Sequence, residues 1–394
     1  MPELKAIGVT GVALLLCLAN TGRLDGQQDR QGEIHGTRTF EAEPGGTLVL
    51  DLRDGGSITV EGWNRDEIEI VYRDDENDER DFEITFDTRG NGLEVEASYA
   101  RGINRIPLQL EIRVPRRYDL RTRSAGGGIT LTNLEGRFSG DTGGGSITLH
   151  QVAGEARLSS RGGDIEITDS ELDGTVSTLG GDVLVQDVVG DVRATSAGGP
   201  VVYRNVRDGR NRVRSPANLC DAEITENTVL LTNLGGSIDL REAPEGACVR
   251  TAGGDIDIRN GRHFIHAGTG GGDIEIEIES GDVTARTGAG EIEVIVERAE
   301  GEGDIALSTG LGDVTLIVPP GFSARYDLTI GYTRNSRRDF SFISDLDLDE
   351  ERTTSWDSSG GTPRRYIYGS GVSGDGDYRV EIRTTNGNIT IRER

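Results

Sequence analysis

The chain has 394 residues, 58 of them Gly, and a formal net charge of −26. The charge excludes a nucleic-acid-binding face, which needs a basic surface, and only 10 Pro without a Gly-X-Y period exclude collagen. Hydrophobic residues at 34% and aromatics at 5% are low for a globular enzyme, yet the apolar residues fall in periodic runs, which excludes outright disorder.

Length alone suggests two or three domains. Lys5 is the sole lysine and Met1 the sole methionine. Downstream of the first few residues, Schiff-base lysine chemistry and a Met-lined groove are therefore excluded.

Residues 6–19, AIGVTGVALLLCLA, form one apolar run after Lys5. The run is short for a membrane span and fits the apolar core of a secretory signal. The expectation is a signal peptide over residues 1–26, cleaved between Ala19 and Gly26. Cys17 follows Leu16 rather than a small residue, which argues against a lipoprotein signal. The NGNITIRER terminus carries no apolar tail or sorting motif. The expected product is exported (periplasmic, cell-surface or secreted), with no membrane span after processing.

Residues 38–118 read as strands, among them TLVLDL, GSITVEGW and LEVEAS. Ile58/Val60 followed by Ile68/Ile70 resembles a divergent coil. The longer strands after it are expected to form an amino-terminal β cap.

Residues 119–319 carry a repeat. The motif GG-[D/S]-I-x-[I/L] recurs as GGGSITL, GGDIEI, GGDVLV and onward. Ile129, Ile147, Ile165, Val183 and Val201 follow one another in an 18-residue step, and Ile238, Ile256, Ile274 and Ile292 resume it. Counting these as position zero, positions zero and two are apolar, as in Ile147/Leu149 and Ile256/Ile258. Positions nine and eleven form a second apolar pair, as in Ala156/Leu158 and Val283/Ala285. Alternation of period two means strand. Each unit is two short strands that cannot bury their apolar faces alone, so the units should stack as a solenoid. About ten coils at about 4.8 Å each make a rod of roughly 50 Å. The Gly pairs are expected to supply backbone angles that a side chain would forbid.

Position thirteen is Ser or Thr, as in Thr142, Ser160, Thr178, Ser196, Thr251, Thr269 and Thr287. Its parity is inward, so its hydroxyls should satisfy turn backbone. The outward position twelve is mixed (Ser159, Ser177, Thr195, Arg250, Gly268, Arg286), which disfavours a flat ice-binding array.

The irregular stretch 201–237 fits a 19-residue coil and then an 18-residue coil, with a rung at residue 220. This places Cys220 inward and Cys248 outward at position ten. Exported cysteines often pair, but these two faces argue against a disulfide and for a packed, free Cys220.

Residues 320–394 hold many of the aromatics and a polar loop at 343–365. They are expected to form a carboxyl-terminal cap that blunts the sheet edge. The final DYRVEIRTTNGNITI restates the repeat.

Catalytic signatures are scarce. A nucleophile needs a neighbouring base, and the four histidines (His35, His150, His263, His266) lie in no nucleophile-elbow or metalloprotease motif. Carboxylates are richer. Asp239, Asp257, Glu275 and Glu293 should form an outward ladder at position one and are the interaction-face candidates. Asp164, Asp182, Asp255 and Asp273 form a second column at the Gly turns and are the weak metal candidates. Stacked like charges either attract Ca²⁺ or alternate with Arg. The third Gly of the Ca²⁺ nonapeptide repeat is missing, so these Asp are expected to bond turn amides and keep the rod soluble. Asp345, Asp347 and Asp349 begin like an EF-hand, but Glu350 and Trp356 break the pattern. No cofactor is expected, Ca²⁺ being the one ion in play. Tight coils leave no long-loop cleft for a polysaccharide-cleaving β-helix, the alternative reading.

FEAEPGGTLVLDLRDGGSITVEGW, IRVPRRYDLRTRSAGGGITL and the successive GGDIEI units resemble the bacterial putative-adhesin β-strand-repeat family, a domain of unknown function. The resemblance covers most of residues 38–394. It implies an exported or envelope-associated β-solenoid with an adhesive role and no catalytic motif. The expectation is thus an all-β, single-stranded β-solenoid (β-helix) with an 18-residue coil and β-rich caps at both ends. It would be a non-catalytic structural or interaction module meeting a protein or glycan of the cell envelope.

Overall fold

The computed structural model describes residues 27–28, 34–74, 82–99, 108–207, 228–298, 303–336, 338–358 and 361–394. The expected signal peptide lies outside them. Among the described residues there are strands but no helix, and the strands join in one long sheet.

Two parallel ladders run through the chain. On the first face Ile129–Thr132 pairs with Ile147–His150, which pairs with the start of Ile165–Thr178, and the partners keep the 18-residue step throughout. On the second face Glu135–Thr142, Ala153–Ser160 and the end of Ile165–Thr178 do the same. One strand on each face makes a layer. Inward residues follow the alternation in the sequence. Ile147, Leu149, Ile256 and Ile258 are at most 1% exposed, and Ala156, Leu158, Val283 and Ala285 at most 3%. Each buried Ile, Val or Leu contributes about 1.5–3 kcal/mol relative to exposure.

The Gly pairs do different work from the expected one. Neither Gly162 nor Gly163 has a left-handed φ. A Cβ on Gly163 would lie 2.2 Å from Gly145 O in the layer before, while one on Gly162 would meet nothing closer than 3.8 Å. The same contact recurs at Gly127, Gly145, Gly181, Gly199 and Gly272, at 1.9–2.3 Å. The second glycine is demanded by backbone lying on backbone, and the first is not at Gly162, Gly180 and Gly253, though it is at Gly235, 2.5 Å from Ala197 O. Left-handed backbone occurs in the pair Gly55 and Gly56, with φ of 100° and 139°, and at the opposite corner, at Asn133, Gln151, Asp169, Asp187 and Asn205, with φ of 48–54°. Asn and Asp tolerate this region.

The Ser/Thr column closes the glycine turn, as its parity indicated. Thr142 Oγ1 donates to Gly127 O at 2.7 Å, Ser160 Oγ to Gly145 O at 2.9 Å and Thr178 Oγ1 to Gly163 O at 2.8 Å. Each also accepts from a glycine N–H of its own turn, at 3.3, 2.9 and 3.2 Å. One hydroxyl thus ties its turn to the layer before.

Three expectations need correction. Val201 pairs directly with Ile238, so no layer lies between these two rungs, against the expected 19-residue coil; residue 220 lies outside the described residues. Cys248 has outward parity but is fully buried and disulfide-bonded, against the expectation of no disulfide; Cys220 lies outside the described residues. Finally, Ile58/Val60 do stack on Ile129/Leu131, but Ile68/Ile70 belong to a strand antiparallel to Gln109–Pro115, not to a coil.

The ends are threaded out of sequence order. The layer Gly46–Leu52 plus Ser57–Trp63 lies between two later ones. Tyr118–Ser124 and Ile129–Thr132 pair on one side, Gly92–Tyr99 and Gln109–Pro115 on the other. At the carboxyl end Tyr378–Thr385 and Ile389–Glu393 enter between Gly303–Thr309/Val314–Val318 and Ala324–Thr333/Phe342–Ser344. Both insertions use a cross-strand Gly–Tyr pair, Gly46 with Tyr118 and Gly303 with Tyr378. These tyrosines are at most 2% exposed, and burial pushes both phenols above their ordinary pKa. Antiparallel strands complete each end. The last one, Asp349–Arg352, is fully exposed and charged, which blunts the edge.

Gly163→Ala should cost roughly 3 kcal/mol, and Gly162→Ala should stay within about 0.5 kcal/mol; thermal unfolding of the pair checks the difference. Thr178→Val should cost about 1–3 kcal/mol by stranding the Gly163 carbonyl, whereas Thr178→Ser should unfold near wild type. Peptide mapping without reduction should find Cys248 joined to Cys220.

Candidate functional site

Outward side chains stack at fixed positions because the layers stay in register. Asp239, Asp257, Glu275 and Glu293 do form one ladder on the first face, since each pairs with the next. The column is neutralised in part from within its own strands. Arg241 Nη2 lies 2.6 Å from Asp239 Oδ2, and Arg259 donates to both Asp257 oxygens at 3.1 and 2.9 Å. The Asp257 hydrogen bond and the charges of Asp257, Glu275 and Glu277 raise the pKa of the exposed Arg259 guanidinium. Like charges about 5 Å apart are thereby made tolerable. One layer on, Glu279 takes Arg262 at 2.6 Å and Arg298 at 2.5 Å.

The turn carboxylates are exposed and engaged with backbone. Asp164 Oδ1 accepts from Asp182 N at 2.8 Å, Asp255 Oδ1 from Asp273 N at 2.9 Å and Asp273 Oδ1 from Glu291 N at 2.7 Å. These three carboxylates therefore satisfy the next layer's turn amide, whereas Asp182 is followed in the column by Pro200, which has no N–H to offer. Among the described residues, no group of three or more His, Cys, Asp or Glu is placed to hold a metal ion. Asp182 and Asp164 lie in one column without converging on a point.

The histidines are separated. His150 Nδ1 is 3.0 Å from Thr168 Oγ1 and 3.5 Å from Asp169 Oδ2. His266 packs edge-on to Phe264 at 5.7 Å, and His263 is exposed at a left-handed corner with φ 62°.

No sequence motif marks the cleft of about 1110 Å³ at the carboxyl end. Its walls include Arg325, Asp327, Asp347, Asp349, Asp377 and Arg379. The cleft forms because Arg364–Ser373 folds back antiparallel on Ala324–Thr333, which brings the polar loop beside the last layers. Proximity of Asp347 and Asp349 to Asp377 depends on this fold-back, which nothing local announces. Carboxylates beside guanidinium groups can hydrogen-bond a hydroxyl-rich chain. At the other end of the same hairpin, Trp356 packs against Arg334 and Arg365, at 5.2 and 4.7 Å. The described residues contain no helix long and apolar enough to cross a membrane.

No curated protein matches this sequence. Three solved structures are similar at low identity. One is described as a putative cell adhesion protein from Clostridium sporogenes ATCC 15579, with 10% identity, a TM-score of 0.18, and coverage of 92% of this chain and 100% of that one. Another is described as a putative lipid binding protein from Parabacteroides distasonis ATCC 8503, with 10% identity, a TM-score of 0.22, and coverage of 93% and 98%. The third is described as a putative adhesin from Bacteroides fragilis NCTC 9343, with 9% identity, a TM-score of 0.20, and coverage of 91% and 97%. The sequence model described as Toastrack DUF4097 matches residues 47–392. Stacked glycine turns, two parallel ladders and tucked ends are thus the form taken here by a member of the Toastrack DUF4097 family, to which this chain belongs.

Proposed function

We propose that the chain is an exported, non-catalytic β-solenoid with an 18-residue coil that acts as an adhesin-like interaction module at the bacterial envelope. The observation that carries this reading is the closure of both ends. Each terminal layer is locked between two others and faced by antiparallel strands, with a charged outer strand at Asp349–Arg352. End-to-end growth is blocked, so the lateral faces are the surface offered to partners. Those faces repeat outward side chains in register, which suits a protein or glycan that is itself extended or repetitive. The secretory character of residues 1–26 supports export, and the resemblance of the GGDIEI units to the putative-adhesin β-strand-repeat family supports an adhesive role. The wall chemistry of the carboxyl-terminal cleft suits a glycan in particular.

Fluorescently labelled protein should bind bacterial envelope preparations saturably and should leave a panel of purified polysaccharides intact. Absence of envelope binding would overturn the module reading, and depolymerisation of any panel member would overturn the non-catalytic one. Protein recovered from expressing cells should begin between Ala19 and Gly26, and an intact Met1 would contradict export by this signal.

A further inference from the structure

At its two central outward positions the second face carries no carboxylate from Arg157/Ser159 to Ala306/Ser308, and four successive strands of it frame a groove. Their residues of outward parity are Leu230 and Thr232, Cys248 and Arg250, His266 and Gly268, then Thr284 and Arg286, of which Cys248 is buried in its disulfide and the rest are half-buried or exposed. None of these is a carboxylate, although the first face of the same layers carries Asp239, Asp257 and Glu275. Gly268 lies between Arg250 and Arg286 on adjacent strands. A groove of about 710 Å³ opens there, and among the described residues no Asp or Glu lines it.

The gap is not imposed by the fold. Gly268 has no left-handed φ, and a Cβ on it would meet only Arg286 O, at 3.9 Å. This sets it apart from Gly163 or Gly272, where a Cβ would strike backbone. A side chain would fit at Gly268, and its neighbours in the same column all carry one. Arg250 and Arg286 are exposed, and neither has a carboxylate partner among the described residues. They stand two strand spacings apart, about 10 Å. In a chain of net charge −26, these two guanidinium groups face each other across a notch that no side chain fills. Thr232, Thr284 and half-buried His266 add polar groups along the same groove.

We propose that the Arg250–Gly268–Arg286 notch binds an acidic saccharide, with the two guanidinium groups taking its carboxylate or sulfate groups and the threonine hydroxyls meeting its ring hydroxyls. Guanidinium forks match planar carboxylate and sulfate oxygens. The notch is one side chain wide and admits a single chain. A flat anionic bilayer would instead meet the whole negative molecule, which repels it. The inference rests on reading the protein as a binding module and names the ligand class of one of its faces.

Fluorescence anisotropy with labelled oligogalacturonate and labelled heparin oligosaccharide tests it. Wild type should bind at least one of them, and methyl-esterified oligogalacturonate and inorganic sulfate should bind far more weakly. Arg250→Gln combined with Arg286→Gln should weaken binding about tenfold or more. Gly268→Glu should abolish it, while Gly268→Ser should fold with an unchanged circular dichroism spectrum. Variants that bind as well as wild type would overturn the proposal. So would no wild-type binding to either oligosaccharide, or binding only to phosphatidylglycerol vesicles. If the double variant loses oligosaccharide binding but still binds envelope preparations, both readings stand, with a second contact elsewhere. If no protein form binds envelope, the module reading falls independently of the notch.

Discussion

The structure depends on the close approach of backbone to backbone at the second glycine of each turn. At Gly145, Gly163 and Gly181 the carbonyl of the previous layer occupies the space a Cβ would need. This contact sets how the turn sits on its predecessor, and the Ser/Thr hydroxyl then spans the two layers. With turns nested so closely, the interior stays narrow and is filled by Ile, Val, Leu and Ala in register. Rings have little room there, which accounts for the low aromatic content of the repeat. Asp164 and Asp255 extend the same logic outside the turn by accepting the next layer's amide. The acidity of the turns is therefore structural chemistry before it is surface charge.

A stack of open strands must end somewhere, and exposed ladder groups invite association. This chain solves the problem by threading. The first layer at Gly46–Leu52 and the last at Tyr378–Glu393 are placed one step inside the stack. Each entry point sets a glycine opposite a tyrosine whose ring covers it. Tyr118 donates to Asn91 O at 2.8 Å, and Tyr378 accepts from Gly281 N at 3.3 Å. The two ends use the same device without a shared motif beyond the Gly–Tyr pair.

Much of the architecture was legible because the repeat is local. The two inward pairs and the inward Ser/Thr column follow from parity alone, and buried Leu149, Leu158 and Thr178 lie where parity puts them. What was not legible depends on contacts distant in sequence. The role of Gly163 is invisible until Gly145 is beneath it. Cys248 has outward parity and is nonetheless buried, its disulfide joining it to a residue far away in sequence. The direct pairing of Val201 with Ile238 shows that spacing alone does not count the layers between two rungs. Asn133, Gln151, Asp169 and Asp187 were readable as an 18-residue corner ladder, but their varied side chains hid it. Of the candidate faces, the acidic ladder was foreseen, whereas its Arg259 clamp and the carboxyl-terminal cleft required the fold.

The result is a rod whose chemistry is displayed sideways, acidic on one face and free of carboxylates on part of the other. That display requires the terminal layers to be held as firmly as the middle ones. Hydrogen–deuterium exchange on the intact protein tests this most directly. The account predicts that the amides of Ile389–Ile391, paired on both sides, are protected as strongly as those of Ile165–Thr168. Rapid exchange at Ile389–Ile391, as expected for a locally opening segment, would contradict it.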